Sequence, residues 1–167
     1  MSVLEIRIYP DPVLREECEP VEVFDDALRT LVDDMVETMY HAPGVGLAAP
    51  QIGISKQLAV VDTSVGKEPG TLRVLINPRI VEEKGREMDS EGCLSIPDLS
   101  EKVTRPEWIR VVGHDLDGDR VEEEVEGFEA RAYCHEIDHL NGVLFIDHLR
   151  GLRREKARRQ LKKLGLR

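Results

Sequence analysis

The feature that most constrains the fold is a block of strand-forming segments in the middle of the chain. Residues 57–126 contain β-branched runs such as LAVVD, LRVLINPRIV and WIRVVGHDL, separated by Gly, Pro and Asp. Such runs predict antiparallel strands and hairpins, and Asp117-Gly118 is the strongest turn signal. Helical patterns occur only before and after this block, so the chain lacks the strand–helix alternation of a parallel sheet.

The first predicted helix precedes the strands. Residues 25–41 place leucine, valine and methionine side chains at steps of three and four, with Asp25 or Asp26 as a cap and Pro43-Gly44 as the stop. This apolar stripe indicates an amphipathic helix that packs on the core.

Composition limits the classes to which the chain can belong. It has 167 residues, 41% of them hydrophobic, and a formal net charge of −10. A chain this apolar folds, and an acidic surface does not coat nucleic acid. No run approaches the roughly 18 apolar residues of a membrane span, and the first residues lack an export signal. We expect a cytoplasmic protein that does not associate with membranes, folded as a single domain over residues 1–167.

The C-terminal segment carries charge of the opposite sign. Residues 150–167 contain nine basic residues against one acidic residue, Glu155, a net of +8. We expect a basic C-terminal helix, helical over 149–164. Its leucines form a partial apolar stripe that docks the helix on the body: Leu149, Leu152, Leu161 and Leu164.

The motif that carries chemistry is His135-Glu136-Ile137-Asp138-His139, which fits H-E-x-x-H on a second predicted helix, 127–141. Residues four apart lie on one helical face, so both imidazoles can bind one cation while Glu136 projects toward a bound water. The predicted fold is therefore α+β, with antiparallel strands and hairpins around a central metal-binding helix.

Two histidines do not complete a catalytic metal site, which normally has three protein ligands and an open position. The metzincin pattern requires a third histidine where this chain has Phe145, so that class is excluded. Glu155 is the only glutamate downstream, and it lies among arginines. Cys93 follows a glycine in the strand-like stretch Glu91-Gly92-Cys93-Leu94-Ser95, which makes it the better candidate.

A segment rich in glycine and alanine, Gly44–Gly53, is the third candidate element of the site. Small residues let a backbone approach a ligand closely, and Gln51 offers an amide that can donate to a developing oxyanion. The segment is not a phosphate loop, because no G-K-[ST] follows it.

Three segments together resemble the motifs of peptide deformylases, in the same order along the chain. They are Gly44-Val45-Gly46-Leu47-Ala48-Ala49-Pro50-Gln51, Glu91-Gly92-Cys93-Leu94-Ser95 and His135-Glu136-Ile137-Asp138-His139. The resemblance covers nearly the whole chain. One position departs from it, since the residue before the third motif is often glutamine in this family and is Cys134 here.

The resemblance implies removal of the formyl group from the N-terminal formylmethionine of newly made polypeptides, with release of formate. It implies that Cys93, His135 and His139 bind one metal ion per chain and leave a fourth position for water. Thiolate and imidazole suit iron or zinc. The family favours Fe(II), which Zn(II), Ni(II) or Co(II) can replace.

The resemblance also assigns roles to other residues. Glu136 would carry the proton, while the Gln51 side chain and the Leu94 backbone N–H would hold the oxyanion. The methionine pocket would be formed by Val45, Phe128 and Ala132, with the stem of Arg131 as a fourth wall. The backbone around Gly46 would pair with the peptide as an added strand.

Polar neighbours of the ligands are predicted as well. Histidines that bind metal usually donate their other N–H to a carboxylate or carbonyl, which makes Glu91 and Asp138 candidates. Arg105 can pair with Glu91. His148 shows no partner pattern and is predicted to be a surface or turn residue.

Partners follow from both arguments. The resemblance implies N-formylmethionyl peptides as substrates. Because such substrates emerge from the ribosome, and because +8 attracts phosphate, docking of the basic helix on the ribosome is a hypothesis.

Two other functions remain open at this point. A zinc endopeptidase would use Glu155 in place of Cys93 as the third ligand. A metal-stabilised RNA- or ribosome-binding module would hold the ion as a purely structural element with a fourth protein ligand.

Overall fold

The computed structural model describes residues 2–166. It contains three α-helices, seven strands and three short 3-10 helices within that range. The α-helices are α1 (Asp26–His41), α2 (Gly127–Leu140) and α3 (Gly151–Lys163). The strands are β1 (Gly46–Ala48), β2 (Leu58–Val61), β3 (Arg73–Lys84), β4 (Glu87–Cys93), β5 (Ile96–Arg105), β6 (Trp108–His114) and β7 (Arg120–Glu126). The 3-10 helices are Pro12–Arg15, Ala49–Ile52 and Phe145–His148.

Two antiparallel sheets are formed by these strands. Five strands make one sheet in the order β1-β2-β3-β6-β7, and β4 pairs with β5 in a separate hairpin. The turn between β6 and β7 contains Gly118, whose positive φ of 86° suits glycine. The α+β prediction with antiparallel strands and hairpins is confirmed.

The five-stranded sheet is covered by a helix on each face. Side chains of β2 alternate, so Ala59 and Val61 pack against α2 while Leu58 and Val60 pack against α1. The α1 helix begins where the sequence predicts, because the Asp25 carboxylate accepts from Leu28 N at 3.0 Å.

A third apolar cluster lies away from this sheet. It joins β5 to the 3-10 helices Pro12–Arg15 and Phe145–His148 and to α3. Leu149 and Leu161 are buried in it, as the predicted stripe requires, but Leu152 is 89% exposed. Leu152 stands in the first turn of α3, where it faces away from the body.

Among the described residues, no helix combines the length and the apolar character needed to cross a membrane.

Candidate active site

The two predicted histidine ligands lie on α2, and the predicted cysteine ligand lies at the end of β4. One ligand atom each from Cys93, His135 and His139 falls within 4.8 Å of the others. The Cys93 Sγ is 3.3 Å from His139 Nε2. The three side chains that the sequence singled out therefore converge on one point, although they come from two different elements.

The second nitrogen of His135 is held by a carboxylate, as predicted. His135 Nδ1 lies 2.9 Å from Glu91 Oε1, which leaves Nε2 for a metal. Arg105 donates to both oxygens of Glu91, at 2.7 and 2.8 Å. Burial by itself would raise the pKa of Glu91, but Arg105 and His135 outweigh it and hold that pKa at about 2.

Asp138 extends the same network toward the surface. Its Oδ2 accepts from Arg105 Nη1 at 2.6 Å and lies 2.8 Å from His148 Nε2. His148 is exposed, as predicted for a surface or turn residue, but it has a partner in Asp138 that the sequence did not indicate. Sequence gave no signal for this contact, because the pairing depends on how the 3-10 helix Phe145–His148 packs beside α2.

The pKa values of His135 and His139 are shifted in opposite directions. Burial lowers the pKa of His139 well below its usual value, and the charge of His135 adds to this. Burial acts the same way on His135, but the charge of Glu136 and hydrogen bonds with Cys93 and Glu91 raise its pKa well above the usual value.

Glu136 stands beside these ligands with its charge desolvated. Its side chain is buried, and Oε1 has no hydrogen-bond partner among the described residues. Burial raises its pKa to about 7, close to the range that suits a general acid–base group. A Cβ at position 46 would overlap this carboxylate, so Gly46 leaves the space that Glu136 occupies.

Gln51 is fixed with its amide facing the ligands. Its Oε1 accepts from Ala48 N at 2.9 Å, and its Nε2 lies 3.1 Å from Ser95 Oγ and 3.6 Å from Cys93 Sγ. Because Oε1 is occupied by the Ala48 N–H, the donor group Nε2 is the one that faces the site.

A cavity of about 1010 Å³ opens beside the ligands. Every residue predicted for catalysis or substrate binding lines it: Val45, Gly46, Gln51, Leu94, Phe128, Ala132 and Glu136. Cys93 and His135 line it too, and Phe128 stands half-exposed at the rim. Arg131 also lines the cavity, but its guanidinium is buried in the Glu91 network.

The remaining candidates lie outside the cluster. Glu155 is exposed on α3 and is not among the residues that could share a metal with His135 and His139. Cys134 is buried, which raises its pKa to about 12 and makes it an inert thiol.

The family model of polypeptide deformylases matches residues 3–155 of this chain. The chain belongs to the peptide deformylase family. Peptide deformylases are metal-dependent hydrolases, and this one removes the formyl group from nascent peptides. The endopeptidase alternative is not favoured.

Individual relatives agree over nearly the full length. The peptide deformylase of Acidobacterium capsulatum is 51% identical over 164 residues, which cover 98% of this chain and 96% of the relative. That of Pseudomonas aeruginosa is 49% identical over 166 residues, covering 98% and 96%.

Solved structures show the same fold. The crystal structure of a peptide deformylase from Legionella pneumophila superposes with a TM-score of 0.90 at 45% identity, covering 98% of this chain and 96% of that one. A peptide deformylase from Synechococcus elongatus, in complex with actinonin, gives a TM-score of 0.93 at 42% identity, covering 98% and 89%.

Proposed function

We propose that Cys93, His135 and His139 bind the metal ion of this deformylase, one Fe(II) per chain, which Zn(II), Ni(II) or Co(II) can replace. The donor set fits, because a thiolate and two imidazoles suit these ions and three ligand atoms already converge. Such an ion, when bound, supplies a Lewis acid that lowers the pKa of a water ligand.

Glu136 is the residue that moves the proton. Its carboxylate takes a proton from the attacking water and returns it to the leaving amine of the peptide. The pKa of about 7 produced by burial lets one group do both. The space left by Gly46 keeps the carboxylate beside the ligands rather than displaced from them.

Two hydrogen-bond donors stabilise the oxyanion that forms from the formyl oxygen. They are the side-chain amide of Gln51 and the backbone N–H of Leu94. Both residues line the cavity, and Gln51 is tethered through Ala48 N, so its donor needs little reorganisation. Loss of one such donor typically costs about 3 kcal/mol of the barrier.

The substrate lies in the cavity with its methionine side chain against Val45, Phe128 and Ala132. The peptide backbone pairs as an added strand with β1 near Gly46. Within the described sheet β1 is a terminal strand, so one edge is free for that pairing.

The observation that carries the proposal is the convergence of the Cys93, His135 and His139 ligand atoms beside Glu136 in one cavity. The test is formate release from a formyl-Met peptide by anaerobically prepared protein, together with metal analysis. Glu136→Gln is expected to lower kcat by about 10²–10⁴-fold with metal content unchanged. Glu129→Gln, on the same helix but outside the cavity lining, is the control.

Two further variants separate the alternatives. Gln51→Ala is expected to lower kcat by about 10²–10³-fold while metal stays bound. Cys93→Ser is expected to disable the enzyme, whereas an endopeptidase ligated by Glu155 would keep its activity. Full activity in Glu136→Gln would instead favour a structural ion.

We further propose that residues 1–167 form one cytoplasmic catalytic domain whose basic helix, 150–167, docks on the ribosome. The charged side chains of α3 are largely exposed, and only Arg153 and Lys156 among its cations approach a carboxylate of the described residues, that of Glu101 at 3.7 Å, so the others are available to phosphate. Deletion of residues 151–167 is expected to weaken ribosome binding, most strongly at low salt. Unchanged binding would remove the docking proposal and leave the catalytic one intact.

A further inference from the structure

We propose that Arg131 is a positioning residue that sets the Cys93 sulfur relative to His135 and His139. This inference rests on the proposed metal site. It concerns the one ligand that does not share an element with the other two, and therefore the joint between α2 and the β4–β5 hairpin.

The contacts of Arg131 cross that joint. From α2, its guanidinium donates to Glu91 Oε2 at 2.8 Å, to Asp89 O on β4 at 3.4 Å and to two further backbone carbonyls of the hairpin at shorter distances. One is Glu87 O on β4, at 2.7 Å, and the other is Val103 O on β5, at 2.8 Å. The Arg131 side chain thus donates hydrogen bonds to the backbone of both strands of the hairpin and to the Glu91 carboxylate on β4.

The spacing along α2 links these contacts to the metal site. Arg131 and His135 are four residues apart and therefore lie on one face of the helix. Glu91 bonds both, through Oε2 to Arg131 and through Oε1 to His135. The hairpin is consequently held one helical turn away from a ligand, while Cys93 extends beyond Glu91 at the end of the same strand.

Arg105 cannot substitute for Arg131 in this role. It bonds Glu91 too, but both residues belong to the hairpin. Its one bond to α2 is to Asp138, whose side chain is a quarter exposed. Arg131 is buried, so its bonds to the hairpin backbone are shielded from water and have a fixed geometry.

The test compares metal affinity in three folded proteins: wild type, Arg131→Met and Arg131→Lys. Co(II) is titrated against a chelator at a temperature well below unfolding, and its visible spectrum is recorded. Arg131→Met is expected to weaken Co(II) binding about 10–100-fold and to alter the thiolate charge-transfer band. Arg131→Lys keeps the positive charge but cannot reproduce the several hydrogen bonds that the planar guanidinium donates. We expect a loss of Co(II) affinity between those of wild type and Arg131→Met.

The matched control is Arg110→Met, which removes an arginine paired with Glu82 on the five-stranded sheet. It is expected to leave Co(II) affinity and spectrum unchanged. Amide exchange in the metal-free proteins gives a second readout. Exchange near Cys93 and Leu94 should speed up in Arg131→Lys, while exchange in β2 and β3 should not.

Wild-type affinity and spectrum in a folded Arg131 variant would overturn the inference, and so would an equal loss in Arg110→Met. If Arg131→Met does not fold, Arg131→Lys decides. Two results would refute the proposed metal site itself. One is that the wild-type protein binds no Co(II), and the other is that the Cys93→Ser variant binds Co(II) as tightly as the wild type does.

Discussion

The two elements that supply the proposed metal ligands are held in the molecule by different forces. The α2 helix, which carries the histidines, packs its apolar side chains against the five-stranded sheet. The β4–β5 hairpin, which carries Cys93, packs its apolar face away from that sheet, against α3 and the short 3-10 helices. Between α2 and the hairpin lie Glu91, Arg105, Arg131 and Asp138. The proposed metal site therefore spans a polar seam formed by these four side chains, and its two sides should respond differently to charge and to packing.

The strongest way to break the seam is to neutralise its central carboxylate. Glu91→Gln leaves two buried guanidinium groups without their shared anion, and its single amide oxygen cannot accept from Arg105, Arg131 and His135 as the two carboxylate oxygens do. We expect a loss of about 3–5 kcal/mol in the free energy of unfolding, with weaker metal binding. Denaturant unfolding and metal analysis measure the two effects.

The control for this variant is Glu82→Gln, which removes the partner of Arg110 on the sheet. Both of those side chains are more than a third exposed, so a change below about 1 kcal/mol is expected. If Glu82→Gln and Glu91→Gln destabilised the protein equally, the buried charges of the seam would contribute no more to stability than an exposed ion pair.

Acid should weaken the seam for the same reason. The pKa of Glu91 in the folded protein, about 2, lies below its ordinary value of 4.5. The ionised carboxylate therefore makes its full contribution to stability at pH values above 4.5. This contribution, at most about 3 kcal/mol, is lost as pH falls from about 4.5 toward 2. Across this range the difference in unfolding free energy between wild type and Glu91→Gln should shrink by up to that amount. If the plots of unfolding free energy against pH ran parallel for the two proteins, Glu91 would not be the source of the acid sensitivity.

A change in the apolar packing between α2 and the five-stranded sheet should affect stability but not metal binding. Ile137 is buried between α2 and the sheet, and Ile137→Val removes one methylene there. We expect a loss of about 1 kcal/mol in unfolding free energy. Co(II) affinity should stay within about twofold of wild type, and a larger loss would show that core packing also positions the ligands.

The smallest effect is expected where charge meets solvent. Arg153 and Lys156 on α3 both approach Glu101 of the hairpin at 3.7 Å, but their side chains are 47% and 79% exposed. Replacing both by alanine should change unfolding free energy by less than about 0.5 kcal/mol. A cost comparable to that of Glu91→Gln would mean that exposed pairs also hold the hairpin.

The fold was predictable where local pattern decides structure. The helix over 25–41 and the strand-rich block 57–126 both follow from side-chain periodicity, and both are present. The β1 strand was missed, because Gly46–Ala48 has no β-branched residue. It is a strand only through pairing with β2, which no local pattern reveals.

The candidate site was predictable from chemistry and spacing, but its supports were not. Cys93, His135 and His139 belong to residue types that bind metals, so the motifs identify them without a fold. Arg131 was predicted only as a pocket wall, because arginine side chains are mostly exposed and a buried head group leaves no sequence signal. The partner of His148 was missed because the two residues meet only after the chain folds back.

The length of the hairpin makes the position of Cys93 sensitive to small rotations at its base. Its β4 strand has seven residues, or about 20 Å of extended chain, with Cys93 at the tip and the link to β3 at the base. A tilt of about 3° at that base moves the sulfur by about 1 Å, several times the ±0.2 Å within which metal–ligand distances normally fall. We therefore expect substitutions at the base of the hairpin, for example at Gly85 or Glu107, to change metal affinity although these residues do not contact the proposed site.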